Sequence, residues 1–155
     1  MSARPPDTYR VAFSLVAAAG HAVEIIGSAT RDVRVTLIEV GKPSVETVVT
    51  FVKQSVADTG GTSTSPTIAP LESSSPAATA AVKAYTAAPT AGTSVGTIYA
   101  MTLGTGDVAI EDFGRDVRHV REVILRGAAQ TLAVNLATGA TAKFVVEFTE
   151  DSREL

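Results

Sequence analysis

The chain has 155 residues, a formal net charge of −3, and neither cysteine nor tryptophan. That length suits one domain, the missing cysteines exclude disulfides and thiolate metal sites, and the acidic balance argues against a nucleic-acid-binding face. Aromatic residues make up only 5% of the chain, so the interior must be assembled from small and β-branched side chains, which suit pleated surfaces packed face to face.

Residues Met1 to Asp7 are polar and read as an N-terminal arm, without the apolar run of a signal peptide. No segment approaches the roughly 18 consecutive apolar residues of a membrane span. The expectation is a protein that stays in the cytosol where it is made, or in a particle assembled there, with no membrane partner. Period-two patterning begins at once. From Thr8 to Val16, Tyr9, Val11, Phe13 and Leu15 share one face, and Arg10, Ala12 and Ser14 the other. Ala22 to Ile26 is a second β-rich run. Asp32 to Val40 alternates Val33, Val35 and Leu37 against Arg34, Thr36 and Ile38. After the turn Gly41-Lys42-Pro43-Ser44, the run from Val45 to Gln54 places Val45, Thr47, Val49 and Phe51 together.

Ser55 to Thr79 breaks the pattern with Ser, Thr, Gly, Pro and Ala. It reads as a long excursion within one domain, either disordered or ordered as a contact, because neither flank has enough strands to close a core alone. Ile68 and Leu71 are its larger apolar residues. They are candidate anchors against the chain's own body or against a neighbouring subunit.

Strand patterning resumes over Ala80 to Thr86 and Ser94 to Leu103, the latter with Val95, Thr97, Tyr99 and Met101 alternating against Ile98 and Ala100. A short run follows at Val108 to Ile110, and then Val120 to Arg126, Gln130 to Leu136 and Ala142 to Thr149, the last with Phe144, Val146 and Phe148 on one face. Glu150 to Leu155 reads as a polar, peripheral tail. Eight to ten strands separated mostly by short turns predict an all-β, jelly-roll-like antiparallel sandwich, with a closed barrel as the rival.

The chemistry-bearing residues do not assemble into a site. His21 and His119 stand apart, without metal-ligand spacing, and His21 after Gly20 reads as a surface histidine in a turn. Asp107, Glu111, Asp112 and Asp116 form the densest acidic cluster. They have the residue types for glycoside hydrolysis or a Ca²⁺ cage but not the spacing, and Arg115, Arg118 and Arg121 balance them. An ion-pair strip on the surface or between subunits is the simpler reading. No serine occupies a Gly-x-Ser-x-Gly elbow, and Gly104-x-Gly106 lacks the Lys-Ser/Thr of a phosphate loop. The expectation is no catalytic residue, no metal, no cofactor and no small-molecule substrate.

Five segments follow one another in order: Lys83 to Thr90 with its Thr-Ala-Ala-Pro-Thr element, Gly96-Thr97, Val123 to Gly127, Leu132 to Leu136, and Val145 to Glu150. This series, mainly in the C-terminal half, resembles small all-β virion proteins encoded among the structural genes of tailed bacteriophages. The resemblance implies a jelly-roll-like subunit displayed on the particle as a homotrimer. Such subunits serve as capsid decoration (cement) proteins, head fibres or minor tail components, and no catalytic residue is carried over. Its implied partner is the major capsid protein, on the outer surface of a virion made in a bacterial cytoplasm. The candidate subunit and capsid contacts are Arg4, Pro5 and Pro6 of the arm, Ile68 and Leu71 of the excursion, and Asp112, Arg115, Asp116 and Arg118 of the charged strip.

Overall fold

A computed structural model describes residues 6–113 and 123–152. Twelve strands and no helix occur among them. They are β1 (Asp7–Ala17), β2 (Gly20–Ile26), β3 (Arg31–Gly41), β4 (Thr47–Gln54), β5 (Thr62–Thr64), β6 (Ala69–Pro70), β7 (Ala81–Ala87), β8 (Ser94–Leu103), β9 (Val108–Asp112), β10 (Val123–Leu125), β11 (Thr131–Leu136) and β12 (Ala140–Ser152). The first sheet runs β10-β3-β12-β1-β6, with β9 also pairing β3; the second runs β5-β7-β2-β11-β4-β8. Every ladder between these strands is antiparallel. The chain passes repeatedly from one sheet to the other, which makes the sandwich jelly-roll-like.

The alternation in the sequence explains the core. Tyr9, Val11 and Leu15 of β1 turn inward, as do Phe144, Val146 and Phe148 of β12, and the register sets Tyr9 against Phe148 and Phe13 against Phe144. Both aromatic pairs stack, with centroids 5.4 and 5.6 Å apart. From the second sheet, Val23, Ile25, Val49, Phe51, Leu132 and Val134 meet them in one cluster. Burial of each such side chain stabilises the fold by about 1.5–3 kcal/mol.

Bulges correct the predicted faces in two strands. On β3 the register with β12 skips Thr36, so Ile38 and Val40 turn into the core and Leu37 does not. Simple alternation had set Leu37 with Val33 and Val35. On β8 the register with β4 skips Ile98 and again Val95, so the predicted face of Val95, Thr97, Tyr99 and Met101 is broken. One extra residue reverses the side-chain phase beyond it. Val45 is also corrected: it precedes β4 and is exposed.

The excursion is ordered. Its β5 adds to the edge of β7 and its β6 to the edge of β1, so it closes one side of the sandwich by passing from sheet to sheet. The arm and tail boundaries also shift. Asp7 belongs to β1 and is buried, accepting from Arg31 and Ser75. Glu150, expected in a peripheral tail, is 1% exposed within β12.

Candidate functional site

Two features stand out among the described residues: a polar cluster on the outer face of the second sheet, and an open sheet edge on the side away from the excursion.

The polar cluster arises from strand phase. Val23, Ile25, Leu132 and Val134 face the core, so the alternating Glu24 and Thr131 face outward. A bulge in β2, where the β11 register skips Ala22, swings His21 onto that outer face as well. Glu24 and Thr131 are nevertheless buried and His21 is largely covered, because two chain crossings lie over them. The segment 55–61 leaves β4 for β5 at the opposite end of the sheet, and 88–93 returns from β7 to β8. The crossings pair with each other: the Thr59 and Thr90 amides exchange bonds with each other's carbonyls at 3.0 and 2.8 Å, and the Ser55 amide donates to the Thr93 carbonyl. Gly92 permits the close approach, since a Cβ there would lie 1.8 Å from the Val56 carbonyl oxygen.

Asp58 joins the crossings to the sheet. Its amide donates to Glu24 Oε2 at 2.8 Å. Its Oδ1 accepts from Gln54 Nε2 and from the Gly92 amide, both at 2.9 Å, and its Oδ2 lies 2.7 Å from His21 Nδ1. Gln54 also donates to Thr131, and the Tyr85 hydroxyl donates to Glu24 Oε1 at 3.2 Å. Burial raises the Glu24 carboxyl; the Asp58 amide bond opposes this, the Asp58 charge adds to it, and the net shift is upward. Burial also works against ionised Asp58, but the bonds from His21, Gly92 and Gln54 outweigh it and leave this carboxyl below its usual range. Burial and the Glu24 and Asp58 charges drive the Tyr85 phenol strongly upward, so it stays a donor. Gln54 Oε1 is the one buried side-chain polar atom without a partner among the described residues.

This geometry corrects the reading of His21 as a surface residue: its side chain is 10% exposed and paired with Asp58. The cluster went unseen in the sequence because its members are far apart along the chain. One signal was present: Glu24 interrupts the apolar run Ala22 to Ile26, and an acid there requires a polar cover. The arrangement ties crossings to sheet. Among the described residues, no group of three or more His, Asp or Glu side chains is placed to hold a metal ion.

The second feature is the edge formed by β8. Across Ser94 to Leu103 it carries no charge and no proline, and among the described residues only β4 pairs with it. Val95, Ile98 and Met101 of β8 are exposed, as are Val48 of β4 and Val108 and Ile110 of β9. Beneath them, Phe51 stacks on Tyr99 at 4.7 Å and meets Phe113 edge-on at 6.4 Å, which fixes the underlying surface.

The predicted contact residues do not gather at either feature. Pro6 is exposed just before β1. Ile68 packs partly buried against the chain's own core, whereas Leu71 is 57% exposed, with its amide bonded to the Thr8 carbonyl. Asp112 ends β9, opposite Leu37 of β3. Arg4, Pro5, Arg115, Asp116 and Arg118 lie outside the described residues, as does His119. Asp107 caps a turn by accepting from the Gly104 amide.

The class these features define is a β-sandwich with a covered polar face and, among the described residues, an uncovered neutral edge at β8. No protein family, curated protein or solved structure matches the chain.

Proposed function

We propose that this chain is a non-enzymatic structural subunit of a tailed-bacteriophage virion, a capsid decoration protein that binds the outer capsid surface and stabilises the head. The observation that carries the reading is the uncharged, proline-free β8 edge beside exposed Val95, Ile98, Met101, Val108 and Ile110. Soluble sandwiches blunt long edges with charge, proline or brevity, and large apolar side chains left exposed along and beside an unblunted edge mark a contact surface. The bulges at Ile98 and Val95 turn one half of β8 away from simple sheet extension, so side-chain packing serves there. The regular half, Tyr99 to Leu103, keeps a straight backbone edge for strand addition.

On this reading the edge joins copies into the homotrimer implied by the sequence resemblance. Exposed Leu71 and the arm around Pro6 add contacts to the major capsid protein. A subunit that bridges several capsomers stabilises the shell because many contacts must then break together. The test is binding of the purified protein to expanded capsids, with Ile98→Lys and Met101→Lys as variants. Both positions are exposed, so folding stability should hold within about 0.5 kcal/mol. Association between copies should fall by roughly tenfold or more, as expected for a charge placed in an apolar contact, and capsid binding should fall with it as the multivalent grip is lost. Undiminished binding by both variants would remove β8 from the interface. A copy number of a dozen or fewer per particle would replace the head assignment with a tail component.

A further inference from the structure

We propose that residues 55–61 and 88–93 form a strap that opens as a unit over the outer face of the second sheet while the sandwich stays folded, with the Asp58 side chain as its latch. The inference is independent of any role in a virion.

Three observations carry it. First, the strap is a body in its own right: its two crossings bond to each other through Thr59 and Thr90 and through Ser55 and Thr93. Second, its grip on the sheet is polar and concentrated. Asp58 is its one fully buried residue; Ala57, Pro89 and Gly92 are half-covered, and the rest, including Val56, is exposed. A segment with little apolar burial sits at the low-stability end of a fold and opens locally. Third, the strap has a hinge. Gly60 and Gly61 follow one another at φ of +70° and +72°, where other residues are strained, just before β5.

The sheet supplies the receiving side. β2 presents His21 and Glu24, β4 the neutral Gln54, β7 Tyr85, and β11 the neutral Thr131. Two lysines are near. Lys83 of β7 stands opposite Glu24 in the register, and Lys53 of β4 directs its ammonium to Gln130. Ionised Asp58 accepts from Gln54, Gly92 and His21 at once, and its protonation removes that capacity. The latch therefore holds above the Asp58 titration and releases as pH falls through it, consistent with a carboxyl held below its usual range. Opening would uncover Tyr85, Glu24 and Thr131. It would also free the approach to Ser94, because the Ser55–Thr93 bond is made just before β8 begins.

Amide hydrogen exchange read residue by residue in the full chain tests the proposal. In the wild type, the amides of Asp58, Thr59, Thr90 and Gly92 should share one opening equilibrium and exchange at least about tenfold faster than central amides of β11 and β12. Asp58→Asn should accelerate the strap amides by roughly ten- to hundredfold, the loss expected for bonds to a charged acceptor, and leave β11 and β12 within about twofold. Gly92→Ala, which forces the crossings apart and pulls the Gly92 amide from Asp58 while the carboxylate itself stays in place, should do the same. Equal protection of strap and central strands in the wild type overturns the proposal. So does an Asp58→Asn variant whose strap exchanges unchanged, or one that exposes the whole sandwich together.

Discussion

Glu150 offers a sharp test of how the long excursion is held. Its carboxylate is 1% exposed and accepts at Oε1 from the Thr79 and Ala80 amides at 2.8 and 2.7 Å. At Oε2 it accepts from the Thr79 hydroxyl at 3.0 Å, with Arg31 Nη1 at 4.0 Å. Glu150→Ala strips the acceptor from two amides where the chain turns from the excursion into β7. Bonds to a charged acceptor are worth about 1.5–3 kcal/mol each, and a buried donor left bare costs about 1–3 kcal/mol. The two amides are lost to the same atom and are not additive, so the expected destabilisation is about 3–5 kcal/mol. Glu150→Gln keeps a carbonyl oxygen for both amides, and the Thr79 hydroxyl can rotate to accept from the new NH₂. Its cost should be about 1–2 kcal/mol, mostly from the weakened Arg31 contact and the neutral acceptor. Urea unfolding at pH 7 reads both: the midpoint should fall with an unchanged slope, and much further for Ala than for Gln. Equal effects from the two variants, or an Ala variant within about 0.5 kcal/mol of wild type, would refute the claim that this carboxylate anchors the excursion.

Two further outcomes follow from the same physics. Phe148→Ala removes a fully buried ring stacked on Tyr9, and thermal or urea unfolding should report a loss of about 3–5 kcal/mol, against a change within about 0.5 kcal/mol for Val16→Ala at a 67%-exposed site. The buried acids give the stability profile two opposed slopes: Glu24 is raised from 4.5, so its contribution is complete below that value and declines as pH rises through its folded value, whereas Asp58 is lowered from 3.8, so its contribution is complete above that value and declines as pH falls through its folded value. Urea midpoints measured from pH 3 to 7 should show Asp58→Asn selectively losing the acid-side decline.

The sheet layers were legible because a two-residue period survives wherever one face is buried and the other is wet. Tyr9, Val11 and Leu15 on β1 and Phe144, Val146 and Phe148 on β12 show that pattern intact. It failed at Leu37 and along β8, where a bulge inserts one residue and the phase reverses without any mark in composition. The excursion was legible as an interruption but not as structure. Its order comes from acceptors that lie elsewhere in the sequence, Glu24 for one end and Asp7 and Glu150 for the other. Residues that look like loop filler, such as Asp58, Ser75 and Thr79, become fixed only when distant strands bring those carboxylates to them. Periodicity carries no information about such pairings, and so His21 read as a surface residue.

The two sides of the sandwich treat their edges differently. On the excursion side, β5 and β6 are three and two residues long, and β6 ends in Pro70, which has no amide hydrogen to offer a neighbour. Short strands and proline are the usual means of stopping one sheet from adding to another. On the opposite side, β8 is ten residues long and has neither charge nor proline. The two bulges turn the first half of this edge aside, but in a chain with 16 acidic and 13 basic residues elsewhere the regular half, Tyr99 to Leu103, is defended by neither charge, proline nor bulge among the described residues. The strap brings in a second consideration, because 88–93 leads directly into Ser94 and its pairing fixes where β8 begins. Local order at the Asp58 latch and the presentation of the neutral edge are therefore physically connected through two or three residues of chain. If the edge is the contact surface, loosening the latch should weaken association by increasing the entropy lost when β8 is held by a neighbour, even though the Asp58 side chain is itself buried.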